Sequence, residues 1–220
     1  MTKPPVSKLP FIGSYIKDIT LNFDLSGLKY FLEHNNKEVF KEFQKIEKRK
    51  EKGYYKTFED YEPAFDMPLT RMEITIRAVF YELNAIVDHE LQRVAHTPWV
   101  KSDRFKGPKT IPDITSGKIK DLKMISDRDI TYGQIISLIE GYYHVRIEKL
   151  TCYKDIVKIR KKVNSFKHSK GLADFRNDKS EKLQYPHYYE IETKEAYDAI
   201  EHVRKFIKAL REKTIQEHEY

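Results

Sequence analysis

The chain has 220 residues, of which 40% are hydrophobic and 34% charged, and its formal net charge is +7 at pH 7. This composition excludes a disordered polymer, and the length is sufficient for one sizeable domain or for one domain with a smaller appendage. Apolar runs are shorter than the roughly 20 residues that cross a bilayer, and the N-terminus lacks the apolar stretch of a signal peptide, so we predict a cytoplasmic protein without a membrane span.

Cys152 is the single cysteine of the sequence, which excludes an intrachain disulfide and a zinc site built from several thiolates. We interpret Cys152 as a packing residue, and we predict no metal ligands and no cofactor. The positive charge favours contact with a polyanion such as a nucleic acid. Charge alone does not identify the base sequence or strand type that is bound.

The first 66 residues are predicted to form an N-terminal arm with accessory helices. Residues 1–25 are rich in proline and lack a sustained apolar period, which indicates an irregular arm. A short helix is predicted over residues 25–33, and a second helix begins after Asn36 and ends at Gly53. The apolar residues of this second helix lie on one side: Val39, Phe40, Phe43 and Ile46.

A long helix is predicted to begin at Asp66 or Met67 and to end near His96, before Pro98. Its wide apolar face is typical of the central helix of a bundle. The face consists of Met72, Ile76, Val79, Phe80, Leu83, Ile86, Val87, Leu91 and Val94. His89 shares a side with His96, but two turns separate them by about 10 Å, too far for both to bind one ion.

Residues 97–128 lack helical periodicity and are interrupted by glycine and proline. Their basic residues outnumber their acids: Lys101, Arg104, Lys106, Lys109, Lys118, Lys120 and Lys123. A loop of this length is usually functional or disordered. We therefore predict a basic insertion that forms a flap beside a binding groove, and a disordered segment fits the same composition.

Helical order is predicted to return at Thr131, which with Gln134 matches a capping box, while Ile130 and Ile135 match a hydrophobic staple. The helix that starts here is predicted to reach about Lys149. The short connection to the next helix predicts that the two pack antiparallel.

A last helix is predicted to begin at Thr193, which acts as its cap. Its apolar residues recur at helical spacing: Ala196, Ile200, Val203, Phe206, Ile207 and Leu210. Residues 67–220 are thus predicted to form an all-α, four-helix core.

The segment 156–171 carries two rows of residues on one predicted helix. The packing row consists of Ile156, Ile159, Val163 and Phe166. Beside it, Arg160, Asn164 and His168 recur every fourth residue, and each step turns only about 40° around the helix. A guanidinium, an amide and an imidazole on one edge could hold a phosphate and transfer protons near it. The same placement also fits capping of the helix C-terminus before Gly171.

The layout of helices between Pro68 and Lys213 resembles that of the HEPN superfamily, whose bundle carries a polar motif at the end of its third core helix. In that family an Arg is followed by Asn or another polar residue, then by three positions and a His. Asn164 and His168 match the second half of the motif. The following Ser-Lys-Gly and the last helix also resemble the family. Val163 stands in the position of the Arg.

The resemblance implies an up-and-down helical bundle with extra N-terminal helices that forms a homodimer. It implies metal-independent endonucleolytic cleavage of RNA in a toxin or phage-defence system, with an antitoxin-like protein as a further partner. Its catalytic candidates are His168, Asn164 and Arg160, and its RNA-binding candidates are Lys161, Lys167, Ser169 and Lys170. Val163 lacks the bidentate donor of the family's Arg. The alternative is therefore a non-catalytic HEPN-like module that dimerises and contacts RNA or a protein partner.

Overall fold

A computed structural model of the chain describes residues 9–101, 131–169 and 193–215, and within these ranges the regular structure is helical without a strand. The described α-helices are α1 (Leu9–Glu51), α2 (Phe58–Tyr61), α3 (Asp66–Lys101), α4 (Tyr132–Tyr143), α5 (Tyr153–Ser169) and α6 (Thr193–Ile215). A 3₁₀ turn, Glu62–Phe65, precedes α3, and another, Ile147–Lys149, precedes α5. The prediction of an all-α fold is confirmed.

One continuous helix of 43 residues, α1, replaces the predicted irregular arm and two shorter helices. Its buried residues recur every seven positions: Leu25, Leu32, Val39 and Ile46. This heptad spacing keeps one seam of α1 against the body of the bundle. Phe40, predicted to share the packing side, lies off this seam and is 61% exposed.

Asn35 and Asn36 lie between the two predicted helices, but α1 continues through both residues. The Asn35 Nδ2 atom donates a hydrogen bond of 2.9 Å to the Phe31 carbonyl, so the side chain is accommodated along the helix. From α3, Arg71 donates to Glu42 at 3.0 Å and to Asn35 at 3.4 Å. Arg71 of α3 thus provides a hydrogen-bond donor for two polar residues of α1, Asn35 and Glu42.

The end of α1 at Gly53 agrees with the prediction. Gly53 has φ +72°, a left-handed conformation that glycine adopts without a side-chain clash. Its N–H donates to the Lys50 carbonyl at 2.9 Å, and the N–H of Tyr54 donates to the Arg49 carbonyl at 3.0 Å. These two bonds form a Schellman motif, which satisfies carbonyl groups at the helix end.

The central helix, α3, packs against α1, α4, α5 and α6. Its start at Asp66 is as predicted, but it continues to Lys101 through Pro98, so the predicted end near His96 is wrong. A proline has no N–H to donate to the carbonyl four residues earlier. The hydroxyl of Tyr143 in α4 donates to that carbonyl, on Val94, at 3.3 Å. Tertiary packing thus supplies a donor that the local chain lacks.

The capping box that starts α4 is confirmed. The Thr131 hydroxyl accepts the Gln134 N–H at 3.3 Å, and the Gln134 side chain accepts the Thr131 N–H at 2.8 Å. Ile130 of the predicted staple lies outside the described residues. The helix ends at Tyr143 rather than near Lys149, because the next residue, His144, adopts a left-handed conformation with φ 51°.

The predicted start and buried face of α6 are both found. The helix begins at Thr193, and its apolar row is buried in the same core as Leu25 and Leu32 of α1. The division of the chain at residue 66 stays a prediction. Most of the predicted basic insertion, from residue 102 onward, lies outside the described residues. Within the described ranges, none of the helices has an apolar stretch of the length that a bilayer crossing requires.

Candidate functional site

The packing row of α5 is buried as predicted. Ile156, Ile159, Val163 and Phe166 all belong to the hydrophobic core. Val163, which stands in the position of the family's Arg, is only 1% exposed. This position therefore points into the bundle, where a cation would lose its hydration.

Arg160, the first member of the predicted polar row, is engaged by two other helices. Its guanidinium forms an ion pair with Asp88 of α3 and lies over the ring of Tyr132 in α4, 3.8 Å from the ring centroid. Asn84 also donates to Asp88, at 2.9 Å. A phosphate would have to compete with Asp88 for this guanidinium. The observed contacts hold α5 against α3 and α4.

The rest of the predicted site lies toward the end of α5. Asn164 is exposed, one turn beyond Arg160. The backbone of His168 and Ser169 belongs to the last turn of α5, but their side chains lie outside the described part of the chain, as does all of Lys170. The joint action of Asn164 and His168 therefore stays a prediction.

Lysines dominate the solvent side of α5. Every side chain of the helix that is exposed between residues 153 and 167 is lysine or asparagine, at spacings of three or four. These residues define the basic face of α5: Lys154, Lys158, Lys161, Asn164 and Lys167. It extends over about 20 Å of helix.

Two of these lysines, Lys161 and Lys167, were predicted to bind RNA, whereas Lys154 and Lys158 were missed. The missed pair continues the same helical spacing toward the start of α5, so periodicity could have found it. Lys158 contacts Asp155 at 3.1 Å. The other three lysines have no ion-pair partner among the described residues.

A second polar cluster lies at the start of α5. Cys152 precedes the helix, Asp155 lies in its first turn, and His202 belongs to α6. The potential ligand atoms of these three residues lie within 4.8 Å of one another. Cys152 also packs against the hydrophobic core, in agreement with its predicted packing role. The cluster itself was not predicted, because His202 is distant in the sequence and joins the others only through packing of α6 on α5.

A third polar cluster connects three helices. Glu90 of α3 accepts hydrogen bonds from Arg211 of α6, at 2.6 and 3.1 Å, and from Arg93. Arg211 also pairs with Asp18 of α1. Burial alone would raise the pKa of Glu90, but hydrogen bonds from the two guanidinium groups outweigh it and lower the pKa to about 2.

Glu90 and Arg211 line an open groove of about 390 Å³ between α1, α3 and α6. The groove also contains His89, one of the two α3 histidines that lie too far apart to bind one ion. Among the described residues, His89 has no group of cysteine, histidine and acidic side chains around it that could hold an ion. Glu90 is paired with Arg211 and Arg93, so the buried charges of this groove form a structural contact more than a binding site.

We compared the chain with protein-family models, with curated proteins and with solved structures, and none of the three comparisons gave a match. The resemblance to the HEPN superfamily stays a prediction that depends on the order of helices and the motif residues. All-α bundles occur in proteins with many unrelated functions, so the fold does not identify the function of this chain. The case for a function has to come from the surfaces of this chain.

Proposed function

We propose that this chain is an RNA-binding helical protein that holds the phosphate backbone along the basic face of α5. The observation that carries the proposal is the exposure pattern of this helix: four lysines and one asparagine form its solvent side, and no acid interrupts them. A row of ammonium groups matches the repeated negative charge of a nucleic-acid backbone. Asn164 adds an amide that can donate to a phosphate or a base edge.

The arrangement of α5 favours binding over cleavage. Val163 is buried and Arg160 is paired with Asp88, so neither position offers a guanidinium that is free to hold a scissile phosphate. Cleavage at His168 is the further expectation from the HEPN resemblance. Lys161 and Lys167 would then supply the charge near the phosphate.

The binding proposal is tested with a labelled single-stranded RNA by fluorescence anisotropy over a range of salt concentrations. In the test variant, glutamine replaces Lys154, Lys158, Lys161 and Lys167. In the control variant, which has the same net charge, glutamine replaces four lysines that are exposed elsewhere: Lys29, Lys37, Lys45 and Lys205. Circular dichroism checks that both variants remain helical.

We expect the test variant to lose at least tenfold in affinity and the control variant to lose far less. The slope of log K against log salt should fall by about 3 in the test variant, since each phosphate contact on a single strand contributes roughly 0.7. An equal loss in both variants would mean that only net charge matters. A flat salt response in the unaltered protein would reject phosphate contacts and point to a protein partner such as an antitoxin.

Cleavage is tested separately by incubating RNA with the unaltered protein in the presence of a metal chelator. The His168→Ala variant is compared with His34→Ala, which removes an exposed histidine of α1. Loss of cutting only in His168→Ala would support acid–base catalysis, whose share is roughly 10²- to 10⁴-fold. Equal cutting by both variants eliminates His168 as the catalyst, and absence of cutting in all three proteins supports the non-catalytic module.

A further inference from the structure

The cluster of Cys152, Asp155 and His202 combines a thiol from the turn before α5, a carboxylate from α5 and an imidazole from α6. Each side chain offers one ligand atom, and the three atoms lie within 4.8 Å of one another. All three residues are half-buried, so the cluster is partly shielded from water yet reachable from it. Partial shielding strengthens charge interactions, and access allows an ion to enter.

The backbone holds Cys152 in an unusual conformation. Its φ of 63° lies in the left-handed region, which non-glycine residues seldom adopt. The Cys152 carbonyl accepts the N–H groups of Asp155, at 3.0 Å, and Ile156, at 3.1 Å. The turn therefore fixes Cys152 relative to the first turn of α5. Such conformations occur often at ligand-binding sites, where surrounding structure maintains them.

Packing brings His202 to the same place. The ring of Tyr153, beside Cys152, lies 6.5 Å from the ring of Phe206, one turn after His202 on α6. This contact joins the start of α5 to α6 at the level of the cluster. Asp155 and His202 are thus positioned by two packed helices, and Cys152 by the hydrogen-bonded turn that leads into α5.

The distance between His202 and Asp155 is more suitable for two ligands of one metal ion than for a hydrogen bond between the two side chains. The His202 Nδ1 atom lies 3.9 Å from the Asp155 Oδ2 atom, which is too long for a hydrogen bond. Nitrogen, oxygen and sulfur ligands around a tetrahedral zinc ion lie roughly 3.4–3.6 Å apart. Small side-chain rotations would close this difference. Lys158 occupies the other oxygen, Oδ1, at 3.1 Å and leaves Oδ2 available.

We propose that Cys152, Asp155 and His202 bind one transition-metal ion of the zinc type. A thiolate with an imidazole selects such an ion over magnesium or calcium, which prefer oxygen ligands. Three protein ligands leave the fourth tetrahedral position open to water or another ligand. The earlier prediction that the chain has no metal ligands is replaced by this proposal. The inference does not depend on RNA binding by the basic face of α5.

Cobalt(II) is the direct probe, because a cobalt–thiolate bond gives a charge-transfer absorption band and the sequence has one cysteine to produce it. The reduced protein, without a polyhistidine tag, is titrated with cobalt(II) and then with zinc. We expect a thiolate band that saturates at one ion per chain and disappears as zinc displaces cobalt, since zinc binds the same ligands more tightly. Absence of the band, or saturation at several ions per chain, overturns the proposal.

Substitutions assign the ligands. Cys152→Ser should remove the band, and His202→Gln and Asp155→Asn should each weaken cobalt binding at least tenfold. His89→Gln, which removes an exposed histidine of α3, should leave the titration unchanged. If His89→Gln weakened cobalt binding as much as His202→Gln, the assignment of the ligands would be rejected.

A second measurement uses the unaltered protein and so avoids variants that fail to fold. The rate at which a thiol reagent modifies Cys152 is measured with and without stoichiometric zinc. We expect zinc to slow the reaction at least tenfold, because a coordinated thiolate is withheld from the reagent. An unchanged rate at saturating zinc overturns the proposal.

Discussion

Two charged regions of this molecule differ in burial and in pairing. Glu90 of α3 and Arg211 of α6 are charges of opposite sign that are buried together, and Arg211 also pairs with the exposed Asp18 of α1. Along the basic face of α5, charges of one sign are exposed on a single helix. Buried ions require partners because desolvation is costly, whereas exposed lysines keep their hydration and cost little. The first region therefore maintains the fold, and the second is available to a ligand.

The largest expected effect comes from removing the acid at the centre of the buried region. Glu90→Gln leaves Arg211 without its main counter-charge, and breaking such a buried pair costs roughly 3–5 kcal/mol in the free energy of unfolding. Urea denaturation measures this loss. Glu82→Gln, at an exposed position of the same helix and groove, is the matched control and should change stability by less than about 0.5 kcal/mol. Similar losses in both variants would contradict the structural role of Glu90.

The pH dependence of stability follows from the same carboxyl group. The pKa of Glu90 is lowered from 4.5 to about 2 in the folded protein, so its ionised form stabilises the fold above about pH 4.5 and this contribution is lost as the pH falls toward 2. After allowance for solvent screening, the contribution is about 2 kcal/mol. The stability gap between the unaltered protein and Glu90→Gln should therefore narrow by this amount between about pH 6 and about pH 2. A gap that is constant with pH would contradict the lowered pKa.

A substitution of Arg160 tests whether the predicted polar row stabilises the fold or binds a ligand. Because it pairs with Asp88 and lies on the Tyr132 ring, Arg160→Gln should lower the free energy of unfolding by about 1–2 kcal/mol. Its effect on RNA affinity should be below threefold. Urea denaturation measures the free energy of unfolding, and fluorescence anisotropy measures the RNA affinity. A large loss of affinity with unchanged stability would assign Arg160 to the RNA-binding surface.

The smallest expected effect on stability comes from the basic face of α5. Replacing its four lysines by glutamine should change the free energy of unfolding by less than about 1 kcal/mol, since exposed surface substitutions are individually small. Relief of repulsion between neighbouring lysines would even raise stability slightly. Thermal and urea unfolding of the test variant and of the unaltered protein measure the change in the free energy of unfolding. A loss of several kcal/mol would mean that these lysines hold the fold together.

Local signals in the sequence predicted several helix ends correctly. The capping box at Thr131 and the left-handed glycine at Gly53 depend on side chains and backbone within a few residues, and both are found. The end of α3 was predicted wrongly near His96, because the hydrogen bond that Pro98 lacks is replaced by one from Tyr143 of another helix. The continuity of α1 was missed for a similar reason, since Asn35 has a partner on α3.

The helical class, the packing rows of α5 and α6, and the exposed lysines all follow from the order of residues along the chain, because a period of about 3.6 residues is a property of neighbouring residues. The pairing of charges, in contrast, depends on how the helices pack. Arg160 is held by Asp88, Glu90 by Arg211, and Asp155 lies beside His202. These partners lie on different helices, and their meeting depends on how the helices pack, which spacing along the chain does not specify.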